Sequence, residues 1–94
     1  MKPLKVTLKD LNRLRVKIPI LKLVAPYVKL KKVGDNWKGR CPFHEDTNPS
    51  FMVNPSHAIF HCFGCGVGGD IFGWTMRYEK LSFPEAVERL RAMP

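Results

Sequence analysis

A chain of ninety-four residues, 45% of them apolar, makes one small domain with a modest core, for which a metal staple is physically useful. No apolar run approaches the ~20 residues needed to span a bilayer, and nothing at the N-terminus resembles a secretory signal. A membrane span and a disulfide scaffold are therefore set aside, and a soluble, cytoplasmic chain with reduced thiols is expected. The net charge of +8 is lopsided: residues 1–40 carry twelve Lys and Arg against Asp10 and Asp35, and residues 41–94 carry four against six acids. The first part of the chain offers a positive field that suits phosphates, most commonly those of nucleic acid.

In chain order, Met1 to Lys5 is expected to be a mobile end. Thr7-Leu-Lys-Asp10 has the form of a capping box with Asp in place of Glu. Leu8, Leu11 and Leu14 recur at helical spacing, which predicts a helix over about 8–15 with a basic polar face of Lys9, Arg13 and Arg15. Pro19 suits the first position of a second short helix, whose apolar side is Leu21, Leu23 and Val24 and which Pro26 stops. Residues 27–32 alternate into an extended segment that meets a turn at Gly34-Asp35-Asn36, and Trp37 to Arg40 reads as a strand with Lys38 and Arg40 on one face.

That strand delivers Cys41-Pro-Phe-His44, and Cys62-Phe-Gly-Cys65 follows after seventeen intervening residues. Two ligands three residues apart let one tight turn offer both side chains to a metal, and two such turns supply the four corners of the tetrahedron zinc prefers. Cys41, His44, Cys62 and Cys65 are accordingly read as holding one structural zinc ion. Three thiolates, one imidazole and a divalent cation leave a net charge of −1, and four protein ligands leave no open position for water. Gly64 and Gly66 supply backbone freedom in the second turn. Disulfides would strand one of the three cysteines, and a redox Cys-x-x-Cys would explain neither Cys41 nor His44. His57 and His61 are rival ligands, but neither pairs at this spacing with Cys41, and His61 is adjacent to Cys62, so it leaves the strand on the opposite side.

Between the two ligand pairs, residues 45–49 read as a polar turn, and residues 50–54 as a strand with Phe51 and Val53 on one side. Residues 54–57 form a second turn, after which residues 58–62 return as a strand. Gly66-Val-Gly-Gly69 lacks the Gly-Lys-Ser/Thr ending of a phosphate loop, so its expected task is to turn the chain into a helix of about 71–80 capped by Asp70, with Ile71, Phe72, Trp74 and Met76 mostly in the core. Ser82-Phe-Pro-Glu85 is a further capping box and opens a helix that ends near Met93. The expected fold is α+β: a zinc ribbon, a small antiparallel sheet flanked by short N-terminal and C-terminal helices. Residues 18–93 form its core, and residues 1–17 a basic helix and tail.

These residues also carry a resemblance. Cys41-Pro-Phe-His44, Pro49-Ser-Phe51, Phe60-His-Cys-Phe-Gly-Cys-Gly66, Gly68-Gly-Asp70 and Leu81 to Val87 together resemble the N-terminal zinc-binding domain of bacterial and phage DnaG-type DNA primases. Tyr27 to Lys32 and Asn36 to Gly39 fit the same pattern. The resemblance implies a module that contacts single-stranded template DNA and helps choose where an RNA primer starts, with a separate catalytic domain, in cis or in trans, joining the nucleotides. It implies the four zinc ligands named above and a DNA-facing surface of Lys31, Lys32, Lys38, Phe60 and His61. Arg40 adds a cation beside Lys38, and Trp37, Phe60 and Phe63 are rings able to stack on bases, core packing being the open alternative for Trp37 and Phe60. The chain departs from the family pattern at Thr47, Arg40 and Pro26.

Two other functions compete. A zinc ribbon of this kind also suits protein–protein interaction, its basic N-terminal region docking an acidic partner. A zinc deaminase would want His-x-Glu, a proline before its Cys-x-x-Cys and only three protein ligands, whereas here Glu45 directly follows His44. Nucleotidyl transfer would need clustered carboxylates to hold magnesium, and the eight acids are scattered, so this chain by itself is not expected to polymerise nucleotides.

Overall fold

The computed structural model describes residues 6–45 and 48–93. The expected mobile end at Met1 to Lys5, the Asp46 and Thr47 positions of the polar turn, and with them the departure at Thr47, lie outside them.

Four helices and five strands follow in the order α1 (Leu8–Lys17), α2 (Ile20–Val24), β1 (Lys31–Val33), β2 (Asn36–Gly39), β3 (Phe51–Asn54), β4 (Ile59–Cys62), β5 (Gly68–Gly69), α3 (Ile71–Tyr78) and α4 (Phe83–Arg91). The strands form one antiparallel sheet in sequence order, β1-β2-β3-β4-β5. This is the expected α+β zinc ribbon.

Local chemistry sets the helix ends. Thr7 and Asp10 close a capping box on α1, and Ser82 and Glu85 close another on α4. Asp70 caps α3 by accepting from the amides of Phe72 and Gly73 through Oδ1. α1 runs two residues further than its leucine spacing predicts, to a cap at Ile18. Pro19 is the cap of α2 rather than its first helical residue, with ψ of 133°. α3 ends earlier than expected because Lys80 turns left-handed (φ 55°), letting the Leu81 amide donate back to the Met76 carbonyl.

The alternation of the strands buries one face. Phe51, Val53, Phe60 and Cys62 point inward and are at most 1% exposed. α2 packs over β3 and α3 over β5, while α4 packs on α3 and carries α1. Trp74 is central: its ring lies 5.7 Å from Phe60, 6.0 Å from Phe51 and 5.4 Å from Phe43, and such pairs contribute about 0.5–1.5 kcal/mol each beyond burial. Thr75 is fully buried, its hydroxyl donating to the Ile71 carbonyl at 2.8 Å, whereas Met76, expected in the core, is half-buried. Leu14 of α1 belongs to the same core, so the N-terminal helix packs as part of the unit.

Gly68-Gly69, expected only as a turn, is a fifth strand paired to Phe60 and His61. A side chain on Gly68 would meet His61 Nδ1 at 2.9 Å and the Phe60 carbonyl at 3.0 Å, so it is the bare backbone that lets the chain lie against β4.

Candidate metal centre and outward sheet face

The first ligand pair leaves the end of β2, and the second is the end of β4 and the turn after it. In the first turn the Phe43 amide donates to Cys41 Sγ at 3.4 Å. In the second the Gly66 amide donates to the Cys62 carbonyl at 2.8 Å, with Gly66 at φ 80°, a conformation glycine adopts without steric cost. Gly64 is required for another reason: a methyl there would sit 2.8 Å from Ser50 Oγ and 3.0 Å from His44 Nε2.

These turns bring one donor atom each from Cys41, His44, Cys62 and Cys65 to within 4.8 Å of one another. Cys41 Sγ is 3.9 Å from Cys65 Sγ, and Cys62 Sγ is 3.8 Å from His44 Nδ1. A tetrahedron with zinc–sulfur bonds of about 2.3 Å has edges of about 3.8 Å, so the cluster matches the shell of one zinc ion. The four residues fit one structural zinc ion and would be its ligands.

Electrostatics separates the thiols. Burial pushes Cys41 up to about 12, against the lowering effect of the Phe43 amide. Burial also acts to raise Cys62, but the Ser50 hydroxyl and the amides of Cys65 and Gly64 outweigh it and bring Cys62 down to about 7. Ser50 Oγ lies 3.6 Å from Cys62 Sγ and its carbonyl accepts from the Phe63 amide at 2.9 Å, so Ser50 fixes the second turn from β3's side. Nothing in the ligand spacing pointed to it.

The strand register sorts the eight surface candidates into two groups. Lys31, Lys38, Met52, His61 and Gly68 are successive cross-strand partners, so the first four side chains share the face opposite the buried Val53 and Phe60. Phe63 stands beside that row, 67% exposed, with its ring edge-on to His61 at 4.7 Å. Arg40 is exposed next to it.

Lys32, Trp37 and Phe60 belong instead to the alternate row, Lys32–Trp37–Val53–Phe60. Phe60 is 1% exposed and has no ring face to offer a base; Trp37 is half-buried against the core, and Lys32 stays in solvent at the edge strand. The signal for Phe60 was available, because the alternation that turns His61 away from Cys62 puts Phe60 on Cys62's side. The same alternation about Phe51 and Val53 marks Met52 as outward.

Beside Lys31 and Lys38, a groove of about 960 Å³ runs along the outward face between residues 27–31 and the first ligand turn. Its walls are Tyr27, Val33, Pro42 and Pro49, its cations Lys29, Lys31, Lys38 and Arg40, and among the described residues no acid lines it. Tyr27, Lys29, Pro42 and Pro49 each lie in a stretch that carries the resemblance, but those stretches gave no sign that the four meet in one groove.

The CHC2 zinc finger family model, Zn_ribbon_DnaG, matches residues 6–93. The DNA primase of Mycolicibacterium smegmatis is 48% identical over 83 residues, covering 87% of this chain and 13% of that protein. The DNA primase of Thermotoga maritima is 44% identical over 80 residues, covering 85% and 14%. The crystal structure of the zinc-binding and RNA polymerase domains of Aquifex aeolicus primase aligns with a TM-score of 0.81 at 48% identity, over 86% of this chain and 20% of that one. The chain thus spans about one-seventh of the length of the curated relatives it matches.

Proposed function

Since this chain belongs to the CHC2 zinc-finger family and is a zinc-binding domain of the DNA primase type, we propose that its outward sheet face binds single-stranded template DNA and helps to select where a primer starts. The observation that carries this reading is the cationic strip made of the groove and the Lys31–Lys38–Met52–His61 row, lined by no acid among the described residues and ending at the exposed Phe63 ring.

Along that strip, Lys29, Lys31, Lys38 and Arg40 neutralise phosphates, and binding gains from the counterions released. Phe63 and His61 offer ring surfaces at the far end, where a base can stack for ~1–3 kcal/mol. The zinc ion, when bound, supplies no chemistry to the strand; it fixes the two turns that hold β2 and β4 in register, and with them the spacing between cations and rings.

Nucleotidyl transfer falls to a catalytic domain in cis or in trans, acting in the cytoplasm. Most carboxylates among the described residues serve structure. Asp10 and Glu85 close capping boxes, Asp70 holds α3 and Arg15, Glu79 pairs with Arg89, and Glu88 with Arg91.

The test is binding of a labelled single-stranded oligonucleotide to the zinc-loaded chain across a salt series, beside Lys31→Ala/Lys38→Ala. The wild type should bind with a steep salt dependence, and the double variant should bind more weakly with a slope shallower by about two. Equal affinity and slope in both would refute the assignment of the strand to this face.

A further inference from the structure

The two most exposed large apolar side chains among the described residues are both on α1: Val16 at 85% and Leu8 at 77%. With Asn12 between them they form one i, i+4 ridge, and Lys9, Arg13 and Lys17 form the ridge beside it. The opposite side of α1 is fully used. Leu14 and Ile18 enter the core, Arg15 pairs with Asp70, and Asp10 pairs with Arg91. Lys17 donates to the Met93 carbonyl, while Lys9 and Arg13 have no ion pair or hydrogen bond among the described residues. Asp10 and Glu88 are both paired with Arg91, and Asp10 also feels the charge of Arg13 without bonding to it.

We propose that this face of α1 docks an acidic amphipathic helix of a partner protein. The chemistry of the two ridges selects that occupant. A phosphate backbone would use the cations and leave Leu8 and Val16 in water. A helix with apolar residues seven or eight positions apart meets both, since eight residues rise about 12 Å, and acids on its flank meet Lys9 and Arg13. The face is also pre-set, because α1 is tied down on its other side and loses little freedom on docking. α1 packs on α4, and α4 on α3, among the helices rather than in the strand row of the proposed DNA face, so the partner and a DNA strand should bind without competing.

The test uses the zinc-loaded, ¹⁵N-labelled full chain titrated with a synthetic three-heptad peptide carrying leucines on one stripe and glutamates beside it. The amides of residues 8–17 should shift, and adding a single-stranded oligonucleotide should leave those shifts in place. Leu8→Glu/Val16→Glu replaces only exposed side chains and should weaken peptide binding at least tenfold while keeping the spectrum folded. A peptide with alanines for leucines should bind at least tenfold more weakly, and one with lysines for glutamates should not bind. Absence of shifts in α1, or an equal response to the alanine peptide or to heparin, would overturn the proposal; the last result would make α1 a polyanion surface.

Discussion

Arg15 and Asp70, fifty-five positions apart, are joined through a single carboxylate oxygen: Arg15 Nη2 lies 2.9 Å and Nε 3.3 Å from Asp70 Oδ2. The other oxygen caps α3, and the Arg15 guanidinium sits 5.2 Å above the Phe72 ring. One side chain therefore starts α3 and anchors α1. Asp70→Ala should cost about 1–2 kcal/mol through the lost cap, whereas Asp70→Asn, which keeps the cap acceptor, and Arg15→Ala should each cost no more than about 1 kcal/mol, the ion pair being about one-third exposed. Urea unfolding of the three variants checks the order, which a larger loss in Asp70→Asn than in Asp70→Ala would reverse.

The zinc site distinguishes between histidines. His44→Ala and Cys62→Ser should lose the metal, and His61→Ala should retain one zinc per chain by native mass spectrometry, since His61 points to the outward face. Gly64→Ala should also weaken zinc binding, because the added methyl crowds His44 and Ser50. Chelation should remove most of the sheet signal in circular dichroism, as the fold energy of residues 36–70 is coupled to the metal; a chelated spectrum matching the zinc-loaded one contradicts this.

Two phenylalanines three residues apart should behave oppositely. Phe60→Ala removes a ring packed on Phe51 and Trp74 and should destabilise by about 3–5 kcal/mol. Phe63→Ala should leave the melting temperature within a degree or two and lower single-stranded DNA affinity by ~1–3 kcal/mol for the lost stack. Thermal melts and binding isotherms on the same samples separate the two effects.

Lys80 ends α3 in the left-handed region at φ 55°, a conformation that costs a side-chain-bearing residue about 1 kcal/mol or more. Lys80→Gly should relieve it and, after the extra freedom glycine brings to the unfolded chain, raise stability by about 0.5–1 kcal/mol. A melting temperature equal to or below wild type would show that the Lys80 backbone is unstrained.

Gly39 shows how local and distant constraints meet. A methyl there would run into the Lys29 carbonyl and crowd Leu30 and Val28, so the segment that walls the groove is seated directly on a glycine of β2. The pattern Trp-Lys-Gly-Arg reads as a strand from sequence, but the partner that crosses it does not appear in the strand itself.

By itself the sequence determined what depends on neighbours a few positions away. The two three-residue ligand pairs, the capping boxes at Thr7 and Ser82, the Asp70 cap and the period-two strands are all short-range chemistry, and each is found where its spacing puts it. Tertiary structure decided which side of the alternation faces water. Period two states that Phe60 and His61 point apart, but only α2 and α3 closing over one face, with Trp74 between, make Phe60 core and leave Lys31, Lys38 and His61 outside. The groove, the fifth strand and the Arg15–Asp70 tie were decided there too, because each joins residues whose meeting depends on long-range burial of apolar surface, to which no spacing along the chain is a guide.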